Sequence, residues 1–146
     1  MYKRHRRSMI LCFVITFIVA FVFEWEYHAI AETSVTIASI AIGVYIAAVS
    51  SLLGTQYAKD LKDKTDPEYP SKTMLGVLAD YFRCASVSCI LLIVVSCLFL
   101  IPSNISFFPI FLALSGSISY GLFAINIMLI WYILLFLINS LGKAVK

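Results

Sequence analysis

The sequence predicts an all-α, polytopic integral membrane protein with four transmembrane helices and a cytoplasmic helical hairpin between the second and third. Three observations carry this. Of the 146 residues, 62% are apolar and only 13% charged, and the mean hydropathy of +0.97 lies far above that of a water-soluble domain. The charge-free stretches fall into four blocks, each able to cross a bilayer at about 20 residues per crossing. On a four-span reading, all 11 Lys and Arg residues fall on one side of those crossings. Four crossings use roughly 80 residues and leave about 60, too few for a separate folded domain. The chain therefore reads as one membrane domain over 1–146.

The first span, about 8–25, rests on the charge-free run between Arg7 and Glu24. Snorkelling Arg side chains and interfacial Trp25 extend it at its ends. The second, about 33–58, starts at Thr33 or Ser34 as N-cap and stays uncharged up to Lys59. The third, about 74–101, is stopped by Pro102, and the fourth, about 109–141, follows Pro109. Gly116 and Gly121 are the expected places for a bend in that last helix. A cleaved signal peptide is the rival reading of the first segment: KRHRR makes an n-region, 8–23 an h-region, and Ala29-Ile30-Ala31 fits a small-x-small cleavage site. An even number of spans balances the charges, which favours retaining the segment.

Orientation follows from the bases. Lys3, Arg4, Arg6 and Arg7 precede span one; Lys59, Lys62, Lys64, Lys72 and Arg83 lie between spans two and three; Lys143 and Lys146 follow span four. The other side carries Glu24, Glu26 and Glu32 and the uncharged PSNISFFPI. Both termini are therefore expected in the cytoplasm, with the protein integral to the cytoplasmic (inner) membrane. The basic head Lys3, Arg4, Arg6 and Arg7 would be a nucleic-acid patch in a soluble protein. Beside a span it instead orients the helix and meets anionic lipid headgroups, and no direct nucleic-acid binding is expected.

The connection 59–73 is the one sizeable polar feature. KDLKDK places Asp60 and Lys64 in the favourable i,i+4 order, so span two should continue as a solvated helix until Thr65-Asp66-Pro67 ends it. Ser71 then caps a new helix whose apolar face holds Met74, Leu75, Leu78, Tyr81 and Phe82, with Asp80 and Arg83 at i,i+3. The hairpin is either a soluble turn or a surface on which a cytoplasmic protein docks through Lys59, Asp60, Lys62, Asp63, Lys64, Asp66, Glu68 and Lys72.

Inside the spans, Ser39, Gly43, Ala47 and Ser51 form a stripe of small residues down span two, and Ala113, Ser117, Gly121 and Ala124 a second down span four. Small-xxx-small faces let helices approach closely in lipid. Span two is thus expected to be central, and the two distinct faces of span four, its small-residue stripe and a polar one at Ser115, Ser119 and Asn126, imply two neighbours, one within the subunit and the other in another subunit of a homo-oligomer. On another side of span four, Ser115, Ser119 and Asn126 line up within about 40°. They either line a wet path or bond to neighbouring helices and their own carbonyls.

Chemistry is sparse. Cys12, Cys84, Cys89 and Cys97 lie in or at the ends of spans without CxxC spacing, which speaks against a disulfide framework or a thiol oxidoreductase. Glu24, His28 and Glu32 would share a face, and could hold a divalent cation, if span one continued as helix; the alternative is an acidic interface belt with Trp25 and Tyr27 at headgroup level. No Asp, Glu, Lys, Arg or His lies at the centre of a span, against a proton-coupled exporter. There is no phosphate loop, HExxH or GxSxG. Neither an enzyme, a catalytic residue, a metal nor a cofactor is expected.

The basic head KRHRR, the compact charged KDLKDKTDPEYPSK and the four-span layout without an enzymatic domain resemble the small membrane subunits of bacterial anti-phage defence systems, such as the membrane component of Kiwa. The resemblance covers the whole chain as architecture. It implies an oligomer that senses infection at the envelope and works with a cytoplasmic DNA-binding partner, with 59–72 as the docking element. An ion-conducting or membrane-permeabilising effector lined by Ser115, Ser119 and Asn126 is the alternative from a different class.

Overall fold

In hydrocarbon the backbone must bond to itself, which leaves long apolar runs the α-helix. The computed structural model describes residues 2–53, 55–101 and 109–144, with the side chains of 57, 109–113 and 139–144 left out. Among the described residues there are five helices and no strand: α1 Lys3–Val22, α2 His28–Leu53, α3 Gln56–Asp63, α4 Met74–Leu100 and α5 Pro109–Ala144. Four segments are long and apolar enough to cross a membrane: α1, α2, α4, and Leu114–Ile138 within α5. The 27 residues of α4 extend about 40 Å at 1.5 Å per residue. α5 stays helical through both Gly116 and Gly121.

The boundaries depart from expectation where local hydrogen bonds beat the charge pattern. α2 begins at His28 because the amides of Ala29 and Ile30 already reach the carbonyls of Glu26 and Tyr27. Thr33 and Ser34 are therefore inside the helix, not caps. Nor does α2 run on through the charged segment. Thr55 adopts an extended conformation, accepts from the Ala58 amide at 3.3 Å and starts the separate, eight-residue α3. Thr73, not Ser71, caps α4, its hydroxyl accepting from Gly76 N–H at 3.1 Å.

The long helices pack in the order α2, α4, α5, α1. α2 therefore stands at one edge, and its packing face is not the expected one. Ala31, Ser34, Ala38, Ala41 and Tyr45 are buried, whereas Ser39, Gly43, Ala47 and Ser51 all face outward. A Cβ added at Gly43 would meet nothing within 4 Å. Small residues at 31, 38 and 41 already give α4 a close approach, so the second stripe is left for lipid or for another molecule. α4 adds Leu78, Phe82, Ala85, Cys89 and Leu92 to the same core, and its Phe82 ring meets Tyr45 of α2 edge-on.

The stripe on α5 does pack within the subunit. A Cβ at Gly121 would lie 2.6 Å from the ring of Phe13 on α1, which heads a ladder of stacked Phe13, Phe17 and Phe21 rings. Ser117 is buried on the same side, while the side chain of Ala113 lies outside the described residues. At the acidic end the chain turns between α1 and α2 through Glu24, at φ 50°, with Trp25 N–H reaching back to the Ala20 carbonyl. This is the helix-ending turn in which glycine normally holds the left-handed position.

That turn swings Tyr27 inward. Expected at headgroup level, it is 2% exposed, hydrogen-bonded to Ser96 Oγ at 2.7 Å and set edge-on to Phe99 and Tyr120. Trp25 does remain exposed. Because α1 stops at Val22, Glu24 does not share a helical face with His28 and Glu32, so the geometric condition for a cation site there is not met.

Candidate functional site

Two polar constellations stand out from the apolar body. The first lies at the basic end, where the segment between α3 and α4 folds onto the beginning of the chain. Asp66 precedes Pro67, and an Asp in such a position turns the chain by accepting from amides two and three residues on. Its Oδ1 accepts from the amides of Glu68 at 2.9 Å and Tyr69 at 3.0 Å, and its Oδ2 accepts from the Tyr2 hydroxyl at 2.6 Å. Asp66 is 1% exposed. Burial alone would raise its pKa, but the Tyr2 hydroxyl and the two amides outweigh burial and hold it below the ordinary value. Burial, and then the neighbouring carboxylate, push the Tyr2 phenol well above its usual range, so it remains the donor.

Around this tether, the Lys3 amide donates to Glu68 Oε1 at 3.0 Å and Tyr2 stacks on Tyr69. The Asp66 amide donates to the Lys72 carbonyl and the Met74 amide to that of Lys64, both at 2.9 Å, so the two ends of the loop close on each other. A β-bridge between Thr65 and Thr73 marks the closure. Lys72 pairs with Asp80 at 2.6 Å. The connection is thus a short helix and a tied loop rather than a free helical hairpin.

This arrangement sorts the candidate docking residues. Lys59, Asp60, Lys62, Asp63 and Lys64 are exposed around α3, while Ala58 and Leu61 anchor that helix inward. Lys64 has left the helix in an extended conformation, so the expected i,i+4 geometry with Asp60 is not formed. Glu68 and Lys72 are exposed but engaged, and Asp66 is an internal fastener. Lys3, Arg4, Arg6 and Arg7 are exposed on the first turns of α1.

Beside the tether, the Tyr2 amide donates to the Tyr81 hydroxyl at 3.2 Å, which contacts His5 Nδ1 at 2.6 Å. The His5 ring lies flat on Tyr132, centroids 4.2 Å apart and 3° from parallel. α1, α4 and α5 meet through these rings.

The second constellation is buried among the spans. Asn126, 1% exposed, accepts at Oδ1 from the Cys89 thiol at 3.0 Å. Its Nδ2 donates to Ser88 Oγ at 3.1 Å, the Ser88 carbonyl at 3.3 Å and the Leu122 carbonyl at 2.9 Å. Ser119 is fully buried and donates to the Ser115 carbonyl at 2.8 Å. Of the three polar residues that align on α5, Asn126 therefore cross-links to α4 and Ser119 bonds to its own helix.

Sequence reasoning missed Tyr2, His5, Tyr81 and Tyr132 as a group, and missed Cys89 as the partner of Asn126. Only Asp66-Pro67 carried a local signal, as a turn; the partners come from 64 and 37 residues away. No family model, characterised protein or solved structure matches the chain.

Proposed function

We propose that the protein is an oligomeric inner-membrane sensor or anchor that docks a cytoplasmic effector on α3 and its flanks, in the setting of anti-phage defence. The basic end faces the cytoplasm in this reading, in keeping with the one-sided distribution of Lys and Arg. The observation that carries it is the Asp66 tether. A loop with no partner to hold need not spend a buried carboxylate and three hydrogen bonds on its shape; here they fix α3 as a platform with Lys59, Asp60, Lys62, Asp63 and Lys64 outward. A preorganised surface loses less entropy on binding than a mobile loop. The outward stripe of Ser39, Gly43, Ala47 and Ser51 suits contact between subunits.

The test is site-specific photo-crosslinking from position 62 in cells. A discrete adduct with a soluble protein is expected, and the combined reversal Lys62→Glu, Asp63→Lys and Lys64→Glu should abolish it with the oligomer unchanged in size. An adduct that survives the reversal, or none at all, sinks the docking assignment. The conducting alternative has less support, because Asn126 and Ser119 are already satisfied by protein groups.

A further inference from the structure

Between the start of α1 and the facing parts of α4 and α5 lies a cavity of about 350 Å³ at the basic end. Val77, Leu78, Ile133 and Phe136 form its apolar walls, with His5 and Tyr132 at the polar side. This lies near the small end of the range for ligand sites, about 300–1,000 Å³. It suits one chain or ring, not a two-tailed lipid.

The Tyr81 oxygen accepts from the Tyr2 amide and lies 2.6 Å from His5 Nδ1. With the Tyr81 hydroxyl as donor in that contact, the imidazole carries its proton at Nε2, and His5 offers an N–H at the edge that Tyr81 does not engage. Tyr132 supplies a hydroxyl beside it. The charge nearby is mainly basic, since Lys3, Arg4, Arg6 and Arg7 flank His5 in the sequence. Of the carboxylates at this end, Asp66 is consumed by its three donors, Glu68 accepts from Lys3, Asp80 pairs with Lys72, and Asp60 and Asp63 lie out on α3.

We infer that this cavity binds a single-chain anionic amphiphile, its acyl chain among Val77, Leu78, Ile133 and Phe136 and its headgroup at His5, Tyr132 and the basic turn of α1. A fatty-acid carboxylate and a lysophospholipid phosphate share that chemistry. Such molecules appear when a bilayer is damaged or its phospholipids are hydrolysed, and the site adjoins the tether that shapes the docking platform. The inference does not depend on a docked protein.

The experiment is equilibrium binding of radiolabelled laurate to the full chain in phosphatidylcholine nanodiscs. One saturable site per chain is expected. Leu135→Trp, at the partly exposed mouth, should remove it, while Val87→Trp on the outer face of α4 should not. His5→Phe keeps the ring but removes the donor and should weaken binding at least tenfold, since a hydrogen bond to a charged group contributes about 1.5–3 kcal/mol. Lysophosphatidylglycerol that displaces laurate identifies a lysolipid site, and laurate that it fails to displace identifies a fatty-acid site. Non-saturable uptake in all variants, saturable binding indifferent to Leu135→Trp, or displacement by dodecanol as effective as by laurate overturns the inference.

Discussion

The Tyr2 hydroxyl donates to Asp66 Oδ2 at 2.6 Å across 64 residues of chain, so the beginning of the first helix and the loop between α3 and α4 are one structural unit. Removing the hydroxyl with Tyr2→Phe leaves a buried carboxylate short of a donor, which costs about 1.5–3 kcal/mol for a bond to a charged group. In nanodiscs, hydrogen exchange at the Glu68 and Tyr69 amides should accelerate roughly tenfold or more, while that of α4 at Ser88–Leu92 stays unchanged. Equal acceleration in both places would mean that the tether is not local.

Acid should loosen the same unit. Because the pKa of Asp66 is depressed on folding, its contribution is fully present above the unfolded value of about 3.9 and is lost as pH falls through the lower, folded value. Following the Asp66 carboxyl carbon by NMR should give a midpoint below about 3.9, and Tyr2→Phe should move that midpoint upward. A midpoint at or above the ordinary value would contradict the hydrogen-bond geometry.

Gly121 has no room for a side chain: the ring of Phe13 lies where a Cβ would be. Gly121→Ala should destabilise the α1–α5 contact by about 1–3 kcal/mol, read as the shift in unfolding midpoint in mixed micelles. Phe13→Ala in the same chain should recover part of the loss, whereas simple additivity of the two changes would show that the residues do not meet.

Asn126→Leu removes the cross-link between α4 and α5. Polar contacts within membranes contribute about 0.6 kcal/mol on average and up to about 1.7, so the variant should fold with a modestly lower midpoint. Potassium efflux from liposomes should not depend on residue 126 if the group only packs. Efflux present in the wild type and abolished by Asn126→Leu would restore the conducting reading.

The turn at Glu24 predicts a gain. A non-glycine residue in the left-handed region costs about 1 kcal/mol, so Glu24→Gly should raise the unfolding midpoint; a lower midpoint would mean that the carboxylate has a role outweighing the strain.

What was legible in the sequence follows the range of the physics involved. Four apolar helices could be read because hydrocarbon thickness acts on every residue of a span at once. Helix starts were misread at Thr33, Ser34 and Ser71, where several residues could cap and only the neighbouring turn decides. Tyr27 looked interfacial by type, yet one left-handed residue before it turned it toward Ser96. Two small-residue stripes looked alike, but only partners on other helices decide that Gly121 packs and Gly43 does not. The candidate docking residues were visible as charges; that Asp66 differs from its neighbours was not, because its donor sits at the other end of the loop's tertiary contact.

The packing order has a consequence for the time course of synthesis. α2 and α4 are close in sequence and can associate as soon as α4 enters the bilayer, but α1 finds its extended partner only in α5. Until that later helix arrives, the Phe13, Phe17 and Phe21 edge of α1 lacks its packing partner, and α1 is held to the α2–α4 pair only at its start, through Tyr2 and His5. Ribosomes paused between α4 and α5 would hold such an intermediate, with the earliest helix waiting for a neighbour not yet translated.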